Sequence, residues 1–91
     1  MRYLAKTKTQ TITSNTILPP EDFGGWSVLN TGDTTVIIND IPTSQSGAIV
    51  GVDFTSMHPS AIYGEDIVIR FLNDGVAPSA VVTRIKYTEM P

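Results

Sequence analysis

GWSVLNTGDTTVIIND, residues 25–40, is the stretch of the sequence that decides the fold class. It contains two short runs rich in β-branched and apolar side chains, residues 25–30 and 34–40, with Thr-Gly-Asp at 31–33 between them. Such runs favour strands, and a short turn containing glycine between two of them is typical of a β-hairpin. We therefore predict a hairpin that ends before Pro42, because proline cannot donate a hydrogen bond to a ladder.

The rest of the chain repeats this pattern of short strands and turns. Gly, Pro, Asn and Asp separate the runs, and no window has the periodicity of a helix. About six strands in a single domain predict an all-β fold, either a small antiparallel β-sandwich or a jelly-roll-like barrel. An extended N-terminal arm strand is predicted over residues 1–18 and a compact β domain over residues 19–91. The other predicted strands are residues 2–18, 48–54, 66–72 and 79–89.

Alternation within the last predicted strand indicates which of its side chains enter the core. Val81, Ile85 and Tyr87 are predicted to point inward, and Arg84 and Lys86 are predicted to point outward. This assignment follows the rule that charged side chains of a half-buried strand face solvent.

The arm, KTKTQTITSNTIL at residues 6–18, alternates polar side chains on both of its faces. Neither face is apolar enough for a core, and lysine on an edge strand discourages random pairing. We therefore predict that the arm occupies one edge of its own sheet or the edge of a neighbouring subunit's sheet. The predicted interface residues are Lys6, Thr7, Lys8, Thr9, Gln10, Thr11, Ile12 and Thr13.

Charge is distributed unevenly along a chain whose net charge is -3. Residues 1–18 carry three basic and no acidic side chains, whereas residues 19–66 carry seven acidic side chains and no Lys or Arg. We expect Lys6 and Lys8 to approach acidic groups of a subunit body. An acidic body does not suit nucleic acid, and no apolar run is long enough to span a membrane, so neither is an expected partner and the chain is expected to be soluble.

No motif predicts an enzyme or a cofactor site. The chain has no cysteine, and its single histidine, His58, cannot form a spaced zinc-ligand pair. Asp53, Ser56 and His58 lie close in sequence, but no nucleophile-elbow pattern frames a serine. We therefore expect no catalytic residue, no metal, no cofactor and no small-molecule ligand.

Trp26 is the only tryptophan, and two interpretations of it remain open. The favoured one is a core aromatic at one end of the fold. In the other, Trp26 and the loop around Tyr63 form a stacking platform for a sugar ring, as in a carbohydrate-binding module.

The segment WSVLNTGDTTVIINDIP, residues 26–42, resembles small all-β virion proteins of tailed bacteriophages. In those proteins a strand ending in Asn-x-Gly leads to a second strand and an Ile-Pro corner, and AVVTRIKYTE at residues 80–89 is similar to their closing strand. The resemblance covers residues 25–54. It implies a capsid decoration, head-fibre or neck and tail accessory protein, located in the virion and assembled in the host cytoplasm. Its partners would be other virion proteins or copies of itself.

Overall fold

A computed structural model of the chain describes residues 2–43, 49–53 and 61–90, and every regular element in these ranges is a β-strand. All strand pairs are antiparallel, and they form two sheets of four strands each. The all-β class is thereby confirmed, with eight described strands rather than about six. No helix capable of crossing a membrane occurs in these ranges. The strands are β1 Tyr3–Ile12, β2 Thr16–Leu18, β3 Gly25–Asn30, β4 Val36–Ile38, β5 Ile41–Thr43, β6 Ile49–Asp53, β7 Ile67–Phe71 and β8 Ala80–Glu89.

The strands pair in a nested order along the chain. β1 pairs with β8, β2 with β7, β3 with β6 and β4 with β5. Additional pairs, β3 with β8 and β4 with β7, complete the sheets β1-β8-β3-β6 and β2-β7-β4-β5. The first and last described strands therefore lie side by side, and the two halves of the chain run antiparallel to each other.

Both sheets contribute to one hydrophobic core. Alternate residues of β3, β4, β7 and β8 point into it, because successive side chains of a strand lie on opposite faces. Burial of each valine or isoleucine contributes roughly 1.5–3 kcal/mol before conformational entropy is counted. Trp26 is 6% exposed and belongs to this cluster, so the prediction of a core aromatic is confirmed. The buried apolar residues are Ile12, Leu18, Trp26, Val28, Val36, Ile38, Ile67, Ile69, Ala80 and Val82.

The predicted hairpin over residues 25–40 is wrong, because β3 and β4 belong to different sheets. The segment between them is held by other parts of the chain. The Asn30 side-chain amide donates to the carbonyl oxygens of Thr34 at 2.9 Å and Thr43 at 3.1 Å. The Asp33 carboxylate accepts from the backbone N–H of Ala77 at 2.8 Å. These bonds make residues 31–35 a crossover from one sheet to the other.

The hairpin in this region lies further along the chain, between β4 and β5. Its two central residues, Asn39 and Asp40, have φ values of 48° and 68°. Positive φ at both central positions is typical of the tight turns that suit strand twist, and Asn and Asp tolerate it. Pro42 lies in β5, an edge strand in which its missing N–H is tolerated.

The predicted strand over residues 2–18 is divided into β1 and β2, which lie in different sheets. Between them, the Asn15 side-chain oxygen accepts from the Phe71 backbone N–H at 2.8 Å, and the Thr16 hydroxyl donates to the Ser14 carbonyl oxygen at 2.9 Å. Ile12 and Leu18 enter the same core from opposite sheets. The break lets a mainly polar segment contribute one apolar side chain to each side of the core.

The predicted orientation of β8 is also wrong. Arg84 is 3% exposed, and it lies on the same face as the buried Ala80 and Val82. The register explains this orientation, because Val82 is opposite Val28 of β3, and both are completely buried. Apolar side chains occur on both faces of β8, so their distribution does not show which face enters the core. The prediction therefore assigned the wrong face.

Gly51 lies in β6, where a glycine inside a strand predicts a bulge or a close backbone approach. A Cβ atom built on Gly51 would lie 2.7 Å from the Trp26 carbonyl oxygen and 3.1 Å from the Ser27 Cβ atom. The close approach is confirmed, and it leaves no room for a side chain.

Candidate functional site: the open edge of the first strand

β1 is an edge strand with one side available. Its ten residues pair with β8 in register from Tyr3 opposite Glu89 to Ile12 opposite Ala80. No strand in the described ranges pairs with the other side of β1, since the sheet order begins with it. A row of unpaired backbone N–H and C=O groups on an edge is a template for another strand.

The N-terminal part of β1, residues 3–6, extends beyond the rest of its sheet. β3 pairs with β8 only as far as Gly25 opposite Ile85, so residues 86–89 of β8 and their β1 partners form a two-stranded ribbon. Leu4 in this ribbon is 49% exposed, and Met90, which directly follows β8, is 42% exposed. The molecule measures 49 Å along its longest axis and 20 Å and 17 Å along the others. Because a two-stranded ribbon alone is only marginally stable in water, a further strand or surface would stabilise it.

Four cationic side chains lie together on one face of the β1–β8 ladder. In the register of this pair, Lys6 is opposite Lys86 and Lys8 is opposite Arg84. Like charges directly opposite each other on a sheet are destabilising unless acidic groups compensate them.

Two consecutive acidic residues in the segment before β3 provide that compensation. The Glu21 carboxylate accepts from Lys8 Nζ at 3.0 Å and from Arg84 Nη1 at 2.6 Å. The Asp22 carboxylate accepts from Lys86 Nζ at 2.8 Å. Lys8 and Arg84 share one carboxylate, and among the described ion pairs none includes Lys6, so the four cations of the ladder face only two acidic groups.

The environment of Glu21 keeps its carboxyl group ionised. The hydrogen bond from Lys8, together with the positive charges of Arg84 and Lys8, lowers the pKa of Glu21, while partial desolvation opposes the shift. A lowered pKa means that these ion pairs persist at neutral pH and are lost only in acid.

The structure separates the predicted interface residues by face. Lys6 and Lys8 lie on the same face of β1 as Ile12, which is buried in the core, while the threonines between them lie on the opposite face. Thr13 follows the end of β1. Lys8 already has an acidic partner in its own chain, whereas Lys6 has none among the described residues.

Sequence reasoning missed Glu21, Asp22 and Arg84 as parts of this site. The available signal was local: an acidic pair directly follows Pro19-Pro20, and cations alternate in the last strand. Linking the two requires the β1–β8 register, which no local pattern indicates.

Trp26 and Tyr63 form an edge-to-face pair, with ring centroids 5.6 Å apart and planes at 72°. The Tyr63 hydroxyl accepts from the Asn39 side-chain amide at 3.1 Å. Burial, together with the Glu65 carboxylate, raises the pKa of Tyr63. The Trp26 N–H acts in the opposite direction although it does not meet hydrogen-bond geometry. The indole ring is covered by its neighbours and offers little surface on which a sugar could stack.

The residues considered for catalysis fall outside the part of the chain that the structure describes. Ser56, His58 and the side chain of Asp53 lie outside the described part of the chain. Within that part, no three His, Cys, Asp or Glu side chains come close enough together to hold a metal ion.

Comparison with known proteins gives no relative from which a function could be inferred. No protein-family model, curated protein or solved structure matches the chain significantly. The resemblance to phage virion proteins therefore rests on the residues themselves.

Proposed function

We propose that the chain is a non-enzymatic structural component of a phage virion, assembled in the host cytoplasm, which binds neighbouring subunits through its sheet edges and N-terminal strand. The observation that carries this proposal is the edge strand β1, ten residues long, with no described partner on its outer side. The ribbon that extends from the sheet supports it, because the exposed Leu4 and Met90 would be covered by a neighbour.

We also propose that the two sheets form a jelly roll. Eight strands, two four-stranded sheets and the pairing of first with last, second with seventh, third with sixth and fourth with fifth support this assignment. Jelly rolls occur in viral capsid proteins and in lectins, so the fold is compatible with both functions considered for this chain. The choice between them depends on the site rather than on the fold.

The proposed mechanism is strand addition at the outer side of β1. A neighbouring strand would satisfy the exposed N–H and C=O groups, each net hydrogen bond contributing roughly 0.5–1.5 kcal/mol. The uncompensated charge of Lys6 would favour an acidic side chain opposite it.

A second copy of the chain is an acceptable neighbour only in some registers. A two-fold axis at Thr7 would place Lys6 opposite Lys8, which brings like charges together. A two-fold axis at Thr9 places Lys8 opposite Gln10 and Lys6 opposite Ile12, which avoids that contact. Homo-oligomers paired through β1 should therefore avoid the first register.

The alternative is a small carbohydrate-binding module that uses Trp26 and Tyr63. The low exposure of Trp26, 6%, argues against a stacking platform in this conformation. A glycan array separates the two proposals, since specific binding of one sugar class would favour the alternative.

The proposed interface can be tested with proline substitutions at Thr9 and Gln10. Consecutive residues of a strand direct their N–H groups to opposite sides, so one variant disrupts pairing with β8 and the other blocks only the open edge. Circular dichroism identifies the variant that keeps the fold. We expect this variant to lose incorporation into the particle, or oligomer mass in solution, relative to the unchanged chain. Incorporation and mass equal to those of the unchanged chain would contradict the proposal.

A further inference from the structure

We propose that the outer face of the sheet β1-β8-β3-β6 packs against the same face of a second copy of the chain. This contact goes beyond the proposed role of the β1 edge, because it uses the broad side of the sheet. The face, called the uncharged face below, consists of residues that lie on the side of the sheet away from the core. Its described members are Ala5, Thr7, Thr9 and Thr11 of β1, Ser27 and Leu29 of β3, Gly51 of β6, and Val81, Thr83, Ile85 and Tyr87 of β8.

The cations of β1 and β8 lie on the side of the sheet where charges are least expected. Charged residues of a half-buried strand normally face solvent. In β8, Arg84 instead shares a face with the buried Val82, and the two lysines of β1 likewise lie on the core side. The outer side of β8 carries the residues whose alternation predicted a core face, Val81, Ile85 and Tyr87. An apolar pattern on the outer side of a sheet indicates a surface that another molecule covers.

The composition of the uncharged face is that of an interface. None of its described side chains is charged, and the first described charge on this side, Glu89, lies at the end of β8. A soluble surface typically contains about 25–35% Lys, Arg, Glu and Asp, so several charges would be expected on a face of this size. Depletion of charged residues distinguishes the centre of a protein interface from the remaining surface.

A row of small residues crosses the middle of the uncharged face. Thr9 of β1 is opposite Thr83 of β8. Thr83 is also opposite Ser27 of β3, which is opposite Gly51 of β6. Short side chains along this row keep the face low, so that a second sheet can approach to the roughly 10 Å at which sheets pack face to face.

A second copy is the partner that suits this face. An isologous contact places the same surface on both sides, and because this surface is uncharged, no like charges meet. A foreign surface with ordinary charges would have to desolvate them against side chains that cannot pair with them. Charge therefore favours a second copy over an acidic or basic partner.

The area of the face is compatible with a weak dimer. With strands about 4.8 Å apart and a rise of about 3.3 Å per residue, the face covers roughly 400–500 Å². Two copies would together bury roughly 800–1,000 Å², at the small end of the range for specific interfaces. We therefore expect a dimer that dissociates on dilution.

Sedimentation velocity of the full chain, from micromolar to millimolar concentration, measures this dimer. Thr83→Lys places a charge in the middle of the uncharged face and should raise the dimer Kd by about tenfold or more, because the lysine would lose water without gaining a partner. Ile17→Lys is the matched control, since it adds the same charge at a position that is 63% exposed on the other sheet. It should leave the Kd unchanged. If circular dichroism shows that Thr83→Lys does not fold, Thr9→Lys, at an exposed position of the same row, replaces it.

The proline variant that blocks only the open edge of β1 separates this dimer from pairing through the edge. We expect that variant to dimerise with the Kd of the unchanged chain, even where it no longer joins the particle. A dimer that is lost in the edge variant would show that the copies pair through β1 and would overturn the face-to-face contact. An unchanged chain that stays monomeric at millimolar concentration would overturn it as well, and so would a folded lysine variant of the face with the Kd of the unchanged chain.

Discussion

Replacing Asn30 by alanine should destabilise the fold more than its small change in volume suggests. Asn30 is 1% exposed at the end of β3, where the chain leaves one sheet for the other. Its amide nitrogen donates to two carbonyl oxygens, at 2.9 Å and 3.1 Å, and its side-chain oxygen accepts from the Gly32 N–H at 3.1 Å. Alanine removes all three bonds and leaves buried backbone groups without these partners.

The size of the effect follows from these bonds. At roughly 0.5–1.5 kcal/mol of net stability for each bond, the loss is about 1.5–4.5 kcal/mol. A domain of this size is typically stable by only about 5–14 kcal/mol, so a substantial part of the folding free energy is affected. Asn30→Asp should be at least as harmful, because it removes the donor and buries a carboxylate.

Urea unfolding followed by circular dichroism measures this loss, and Asn15→Ala serves as the matched control. Asn15 is exposed, and its side-chain oxygen accepts a hydrogen bond from the Phe71 N–H at 2.8 Å. We expect the control to lose about 1 kcal/mol or less. If Asn30→Ala loses no more than Asn15→Ala, the crossover does not depend on Asn30 and the reasoning is refuted.

Three further predictions concern the core, a backbone contact and pH. Ile38→Ala, at a position that is 0% exposed, should lose about 2–5 kcal/mol in urea unfolding, whereas Ile17→Ala, at 63% exposure, should lose about 0.5 kcal/mol or less. Gly51→Ala should reduce the free energy of unfolding by about 1–3 kcal/mol, because its Cβ would meet the Trp26 carbonyl oxygen. Gly64→Ala should be nearly neutral, because its Cβ would have no atom within 4 Å other than those of its chain neighbours. Hydrogen bonds from the Ala77 and Val76 N–H groups lower the pKa of Asp33 below its ordinary 3.8, so its contribution to stability is present above that pH and is lost as pH falls through the folded value. The urea midpoint of the unchanged chain should therefore fall between pH 5 and pH 2 by more than that of Asp33→Asn; equal falls would exclude this role of Asp33.

The strands themselves were largely predictable from sequence, because their local signals agree with the final fold. The run at 25–30 coincides with β3, the run at 66–72 exceeds β7 by one residue at each end, and the run at 79–89 begins one residue before β8. β-Branched side chains bounded by Gly, Pro, Asn and Asp give this information locally.

Their partners were not predictable in the same way. Thr31-Gly32-Asp33 permits a chain reversal, but the sheet that receives the next strand is set by Asn30 and Asp33 through bonds to distant segments. Asn39-Asp40 formed the tight turn instead, although it lacks the glycine that usually marks one.

The candidate site was predictable only in part. The polar alternation of β1 indicated an edge strand, and the structure places it at an edge. The same reasoning placed Arg84 outside, because a charged residue on a core face requires a partner that the local pattern does not contain. That partner, Glu21, lies 63 residues away in sequence.

Amide hydrogen exchange along β1 tests the central claim most directly. Alternate N–H groups of this strand bond to β8, and those between them point to the open edge. In the free chain, we expect slow exchange at the first set and fast exchange at the second. In the assembled particle or oligomer, both sets should be protected, because a neighbouring strand would cover the edge. Fast exchange of the outward-pointing amides that persists after assembly would contradict strand addition at β1.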